Sequence, residues 1–117
     1  MTLIMFYNRV GGDLTQTLRR LPGEDFVRKF LLRYPDDPSF AQLWNAVENS
    51  DWQTAFQAAH TVKGIAQNLG LEKLYQAANA LTEALRGDRE LEDRSLLQAI
   101  EAAQAEVLAA LNELDPS

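Results

Sequence analysis

The sequence predicts an all-α fold, an antiparallel up-down-up-down four-helix bundle with short additional N-terminal helices. Apolar residues recur at helical spacing through most of the 117 residues, and no stretch alternates apolar and polar residues long enough to indicate a β-strand. Glycine and proline fall between the periodic segments. The 46% hydrophobic and 24% charged content is that of an ordinary globular protein, so we expect residues 1–117 to form a single domain.

Short helices are expected within residues 1–35. The first covers Thr2–Arg9 and ends at Gly11 and Gly12, where a left-handed backbone costs least. Asp13 is the expected N-cap of a second helix, Leu14–Leu21. A third segment ends at Pro35, and its apolar stripe at helical spacing consists of Phe26, Val27, Phe30, Leu31 and Tyr34.

Four longer helices are expected within residues 36–115, namely Pro38–Asn49, Asp51–Asn68, Glu72–Arg86 and Asp93–Leu114. Asp37 and Pro38 form an N-cap and first-turn pair for the first of these helices. Ser50 with Gln53 forms a capping box for the second, which ends before Gly70. Because the links are only a few residues long, consecutive helices are expected to pack antiparallel as a bundle.

Composition excludes several classes of function. The chain has no cysteine, which removes disulfides, thiolate metal sites and cysteine nucleophiles. Its single histidine, His60, cannot form a multi-histidine metal site, so no metal or other cofactor is expected. The net charge of −6 makes nucleic acid and anionic membranes unfavourable partners. No targeting signal or membrane-length apolar run is present, so we expect a cytoplasmic protein.

His60 is the residue with the clearest chemical potential. On a helical wheel it lies about 110° from the centre of the apolar stripe of its helix, so its imidazole is expected to be partly exposed. The same flank carries Gln53, Gln57 and Gln67. A single histidine on a helix is more often an ordinary surface or core residue than a reactive one. The neighbours of His60 favour the reactive interpretation.

Gly64 and Lys63 are those neighbours. Gly64 follows His60 by one turn, at a mid-helix position where glycine costs about 1 kcal/mol relative to alanine. The missing side chain opens the surface beside the imidazole to another molecule. Lys63 adds a positive charge that attracts an anion such as a phosphoryl group carried on the ring. These residues indicate a histidine that a partner can reach.

Catalytic groups that an enzyme would need are missing around His60. The nearest acidic residue in the sequence is Asp51, at the far N-terminal end of the helix. Gln57 stands where the Glu-x-x-His motif of di-iron bundles requires a glutamate. The sequence also has no glycine-rich nucleotide-binding loop. We therefore expect no enzymatic activity, and any phosphate on His60 would arrive from one protein and leave to another.

The segment His60-Thr61-Val62-Lys63-Gly64-Ile65-Ala66-Gln67-Asn68-Leu69-Gly70 resembles the signature of histidine-containing phosphotransfer (HPt) domains. The resemblance extends to Ala46–Trp52, which is similar to the family's helix–turn–helix, and to the turn Val10–Asp13. In that family a four-helix bundle presents the phosphorylated histidine. The resemblance therefore implies a phosphocarrier in a two-component phosphorelay, which exchanges a phosphoryl group with the aspartate of a response-regulator receiver domain or accepts it from a hybrid histidine kinase.

The resemblance also implies a role for each matching residue. His60 would be the phosphoacceptor, Lys63 would support the phosphoryl charge, and Gly64 would give the receiver clearance. Gln67 and Asn68 would border the site, and Gln53 and Gln57 would contribute to partner binding. Many members have Gln or Glu on the neighbouring helix, where it fixes the tautomer of the ring; here Thr82 stands at that position, either as a shorter ring-orienting residue or as an ordinary helix-surface residue. Mg²⁺ is expected only in the receiver.

Two alternatives remain at this point. The chain could be an HPt-like helical module that binds a partner without being phosphorylated. A second alternative concerns the first helix: Leu3, Phe6 and Tyr7 either form part of an apolar surface for the receiver or cover the end of the core, which is the usual role of buried aromatic residues.

Overall fold

The structure is a computed structural model that describes Met1–Asp115, and Pro116 and Ser117 of the predicted domain lie outside the described residues. All regular elements in this range are helical. The first two helices have seven residues each, the next two have ten each, and the last three have 14 to 17. Their bounds are α1 Leu3–Arg9, α2 Leu14–Arg20, α3 Glu24–Arg33, α4 Ser39–Glu48, α5 Trp52–Asn68, α6 Glu72–Leu85 and α7 Ser95–Leu111.

Most helix ends lie within one or two residues of the predicted ones. Asp13 caps α2 as predicted, because its Oδ1 accepts a hydrogen bond from the backbone N–H of Gln16 at 3.0 Å. Asp37 accepts from the N–H of Ser39 at 2.9 Å at the start of α4. The last helix is shorter than predicted and ends at Leu111, although Leu114 beyond it is still buried. After α3 the chain continues through Pro35 as a short 3₁₀ turn, Tyr34–Asp36.

The predicted capping box at Ser50 and Gln53 is wrong. Ser50 has a φ of +55° and ends α4, with its N–H donating to the carbonyl of Val47 at 3.2 Å. Asp51 then caps α5 by accepting from the N–H of Thr54 at 3.2 Å. A left-handed serine cannot act as the extended N-cap residue, so the cap moves one residue along the chain.

The core is one contiguous cluster of apolar side chains drawn from every helix. Helix α5 packs along α4 on one side and along α6 on the other, and α6 packs along α7. Small residues allow the close approach of α5 to its neighbours, since the buried residues of that helix are Ala55, Ala58, Ala59, Val62 and Ala66.

The short N-terminal helices cover the end of the bundle where α5 meets α6. Leu3, Phe6 and Tyr7 are at most 1% exposed, and the Tyr7 hydroxyl donates to the carbonyl of Leu69 at 2.5 Å. Gly70 has a φ of +67°, and a Cβ there would lie 1.8 Å from Oγ1 of Thr17. Only glycine fits this turn. Leu3, Phe6 and Tyr7 therefore cover the core and form no docking surface, whereas Ile4 and Met5 on the same helix are exposed.

Candidate functional site

His60 lies near the middle of α5, and its side chain is exposed, as the helical wheel predicts. Both ends of α5 are held by side chains. Asp51 caps the first turn, and at the other end the Arg20 guanidinium donates to the carbonyl of Gln67 at 2.7 Å. Because a cation at a helix C-terminus satisfies free carbonyls and complements the helix dipole, these contacts fix the helix that carries His60.

The imidazole of His60 stacks on the phenyl ring of Phe56, one turn earlier in α5. The ring centroids are 6.1 Å apart and the planes are inclined by 4°. The guanidinium carbon of Arg86, just after α6, lies 5.4 Å from the centroid of the same phenyl ring. Phe56 is only partly buried, so it forms an apolar base beside the histidine and not part of the deep core.

Arg86 is held in place by Glu83. Its Nε and one terminal nitrogen donate to the two carboxylate oxygens of Glu83 at 3.0 and 2.9 Å, which is the bidentate geometry that guanidinium and carboxylate favour. The hydrogen bond from Arg86 is the main reason why the pKa of Glu83 lies below its ordinary value, and the charge of Lys63 lowers it further. Lys63 on α5 and Arg86 at the end of α6 thus both act on Glu83.

Lys63 is half-buried and lies one turn after His60 on α5. Within residues 1–115 no carboxylate oxygen is within 4.0 Å of its ammonium group, so Lys63 forms no direct ion pair there. This arrangement leaves a cation beside the imidazole that can attract an incoming anion.

Gly64 is exposed, and a Cβ built on it meets no other atom within 4 Å. Its backbone does not require glycine either, since Gly64 is not among the residues with a positive φ. Neither packing nor backbone conformation in the described chain therefore explains a glycine at this mid-helix position. The space that it leaves lies on the solvent side, next to His60.

Thr82 is fully buried, so the interpretation as a helix-surface residue is wrong. Its hydroxyl donates to the carbonyl of Ala78 in the same helix at 2.7 Å. Among residues 1–115 no hydrogen bond joins Thr82, or any other side chain, to the ring of His60. A ring-orienting role for Thr82 is therefore untested and has no supporting contact in the described chain. The stack on Phe56 is the contact that the structure gives the imidazole.

The remaining predicted partner-binding residues are all exposed on α5: Gln53, Gln57, Gln67 and Asn68. In the part of the chain that the structure describes, no group of three or more metal-ligating side chains is arranged to hold an ion. Over the same residues, none of the helices combines the length and the hydropathy that crossing a membrane would require.

Phe56, Glu83 and Arg86 are the site residues that the sequence prediction missed. On the helical wheel Phe56 falls on the core-facing half of α5, although its spacing of one turn from His60 already permits ring stacking. Arg86 and Phe56 lie at similar distances along the chain from the turn at Gly70, so antiparallel packing of α5 and α6 brings them to the same height. These matching positions along the chain predict the contact only once the pairing of α5 with α6 is known.

Comparison with known proteins agrees with this geometry. A family model described as the Hpt domain matches residues 25–115, from α3 to the end of the described chain. No curated protein and no solved structure matches the chain. The matched segment contains His60 together with the helices that hold it. The chain therefore belongs to the Hpt domain family, whose members carry out histidine phosphotransfer in phosphorelays.

Proposed function

We propose that His60 is the phosphoacceptor of a two-component phosphorelay and exchanges a phosphoryl group with the aspartate of a receiver domain. The observation that carries this proposal is an exposed imidazole beside a glycine for which the fold itself has no need. Lys63 supplies a nearby cation whose ammonium group has no carboxylate oxygen within 4.0 Å in residues 1–115. Binding of a partner explains all three features together.

In the forward step a nitrogen of the neutral imidazole, Nε2 in our proposal, attacks the phosphorus of an aspartyl phosphate. A P–N bond forms as the P–O bond to the aspartate breaks, and the aspartate leaves as a carboxylate. The ring proton on Nδ1 stays on the imidazole during this step. The positive charge of Lys63 offsets the negative charge on the phosphoryl oxygens, and Mg²⁺ belongs to the receiver.

Gly64 has no side chain, and we propose that the receiver uses the resulting space to approach His60. The receiver must bring its aspartate to within bonding distance of the imidazole, and a side chain one turn away would obstruct that approach. Gln53, Gln57, Gln67 and Asn68 are exposed on the same helix and would contact the receiver around the reacting groups. A hybrid kinase that carries a receiver could act as donor by the same route.

The packing of the helices also supports a proposal about the whole domain. We propose that residues 1–117 form one cytoplasmic HPt domain whose bundle, α4–α7, has up-down-up-down topology. Packing of each of these helices along the next supports the topology, as do the three-residue links before α5 and before α6. The shared core of the short N-terminal helices and the bundle supports a single unit.

The test is the intact mass of the protein after it is mixed with a phosphorylated receiver domain and Mg²⁺. We expect one phosphoryl adduct that is lost in acid and is absent from His60→Gln. Thr61→Ala, an exposed neighbour on the same helix, is the matched control and should be labelled normally. An intact wild-type protein that binds receivers and gains no phosphoryl group would instead establish the non-phosphorylated binding module.

A further inference from the structure

A carboxylate lies among the cations of the site, although the proposed reaction uses no negative charge from this chain. Glu83 on α6 accepts hydrogen bonds from Nε and one terminal nitrogen of Arg86 at 3.0 and 2.9 Å. The hydrogen bond from Arg86 and, further, the charge of Lys63 hold the pKa of this carboxyl below its ordinary value. Because a carboxylate repels a phosphoryl group, Glu83 opposes the phosphorylation that Lys63 favours.

The stability of the fold does not account for this ion pair. The side chains of Glu83 and Arg86 are 51% and 55% exposed, and the two residues stand three positions apart at the end of α6. Exposed ion pairs at this spacing contribute little to folding, because water solvates both partners well when they are apart. The pair therefore opens easily, and Arg86 can exchange Glu83 for another anion.

Arg86 borders the same phenyl ring as His60. Its guanidinium carbon lies 5.4 Å from the ring centroid of Phe56, and the imidazole centroid lies 6.1 Å from that same point. Arg86 is the first residue after α6 and leaves the helical backbone conformation, with a ψ of 133°. Its long side chain is thus anchored outside the helix, beside the ring that also supports the reactive histidine.

Phosphorylation of His60 would create a stronger acceptor for the guanidinium than the present one. A carboxylate offers one negative charge and two oxygens, whereas a phosphoryl group at neutral pH carries almost two charges on three oxygens. The planar guanidinium donates two parallel hydrogen bonds to either anion. An exchange of partners therefore keeps the number of hydrogen bonds and strengthens the attraction between the charges.

We infer that Glu83 competes with the phosphoryl group for Arg86 and thereby limits how strongly His60 retains that group. Before transfer, two N–H groups of Arg86 donate to the carboxylate of Glu83. After transfer, the Arg86 side chain rotates and the same groups donate to two phosphoryl oxygens, while the P–N bond of the proposed function is the only covalent bond formed on this chain.

Glu83 is in this inference a positioning residue, because it acts on the phosphoryl group through Arg86. Opening the ion pair costs free energy that is subtracted from the stability of the phosphohistidine. The pair thus favours return of the phosphoryl group to the aspartate of the receiver. The inference rests on the proposed function and adds to it a residue that sets the position of the transfer equilibrium.

The experiment measures how a phosphoryl group distributes at equilibrium between His60 and the aspartate of a receiver domain. Glu83→Gln keeps the size of the side chain and removes its charge. We expect this variant to shift the equilibrium towards His60 about fivefold, the effect of a strong exposed ion pair. Arg86→Gln should shift it towards the receiver by a similar factor, since the phosphoryl group loses its guanidinium partner.

Glu106→Gln is the matched control for the loss of one negative charge. It breaks an exposed ion pair in which Lys73 lies 2.9 Å from the carboxylate, between α6 and α7. Lys73 lies beside Gly11, at the end of the bundle that the N-terminal helices cover. We expect the parental equilibrium in this variant. An equal shift in Glu83→Gln and Glu106→Gln would assign the effect to net charge and overturn the inference.

The double variant distinguishes exchange of partners from simple repulsion. If Glu83 acts by holding Arg86, adding Glu83→Gln to Arg86→Gln should change the equilibrium less than twofold. Simple repulsion predicts an effect at least as large as in the parent, because no guanidinium then neutralises the carboxylate. Such a result, or a parental equilibrium in Glu83→Gln alone, would contradict the exchange.

Labelling of the parent protein separates this inference from the proposed function. If neither a phosphorylated receiver nor phosphoramidate, a small phosphodonor, labels His60, the proposed function fails and the inference fails with it. If His60 is labelled and Glu83→Gln distributes the phosphoryl group as the parent does, only the exchange fails. Urea unfolding of each variant verifies that the equilibria are compared between folded proteins.

Discussion

The imidazole of His60 lies parallel to the phenyl ring of Phe56, with ring centroids 6.1 Å apart and planes inclined by 4°. This stack is the contact that orients the histidine in the described chain, because no side chain there donates to or accepts from its ring nitrogens. The phenyl ring is held in turn by the Arg86 guanidinium, 5.4 Å from its centroid. The two contacts thus bring together His60 and Phe56 of α5 and Arg86, which directly follows α6.

Replacement of Phe56 by leucine should slow transfer to His60. Leucine keeps much of the apolar volume and removes the ring, and aromatic pairs contribute about 0.5–1.5 kcal/mol, so we expect kcat to fall about two- to tenfold. Rates of labelling by a phosphorylated receiver give the measurement. Phe40→Leu is the control, since Phe40 is also partly buried but pairs with Trp44. Equal kcat values for the two variants would show that the stack does not orient the imidazole.

Gly64 should be replaceable without loss of the fold. Gly64→Ala is expected to stabilise the protein by about 1 kcal/mol in urea unfolding, because alanine favours the helix and its Cβ meets nothing within 4 Å. Gly64→Leu should also fold, but its side chain should block transfer from the receiver. Phosphoramidate, a small phosphodonor that needs no docking surface, should still label His60. Normal transfer from the receiver to Gly64→Leu would show that the receiver does not need the space beside Gly64 to reach His60.

Thr82→Val tests whether a buried hydroxyl orients the ring. The hydroxyl donates to the carbonyl of Ala78, and a methyl group of similar size can replace it without leaving a buried donor. We therefore expect a free energy of unfolding within about 1 kcal/mol of the parent and an unchanged lifetime of the phosphohistidine. A markedly shorter lifetime, followed by acid-quenched mass spectrometry, would assign the ring-orienting role to Thr82.

Stability should fall at alkaline pH because two tyrosines are buried. Burial raises the pKa of Tyr7 from 10.0 to about 12, an effect that the hydrogen bond to Thr17 and the charge of Arg20 oppose only in part. Burial, followed by the charge of Asp37, also raises the pKa of Tyr34. The folded state therefore holds these protons more tightly than the unfolded chain, and the stabilisation present below pH 10 is lost as the pH rises from 10 towards 12.

Urea midpoints between pH 8 and pH 11 measure this loss. Tyr7→Phe should be about 1 kcal/mol less stable at neutral pH, because the carbonyl of Leu69 loses its donor. The same variant should show a shallower decline above pH 10, since one of the two titrating groups is gone. An identical alkaline decline in Tyr7→Phe and the parent would contradict the assignment to Tyr7.

The sequence by itself determined the helices and the position of the reactive histidine. Helical periodicity, with glycine and proline between the segments, placed seven helices within a few residues of their bounds, because local spacing decides which residues a helix can bury. The spacing of His60 and Gly64 also predicted an exposed imidazole with free space beside it, since both lie on one face of one helix.

Only the tertiary structure decided which residues from other helices surround that histidine. The cation–π contact of Arg86 with Phe56 and the burial of Thr82 depend on how the helices are paired and rotated, which local spacing does not encode. The burial of two groups of apolar residues was decided in the same way. Leu3, Phe6 and Tyr7 are buried because α1 covers the end of the bundle, whereas Phe26 and Phe30 stay exposed because α3 turns Val27 and Leu31 to the core.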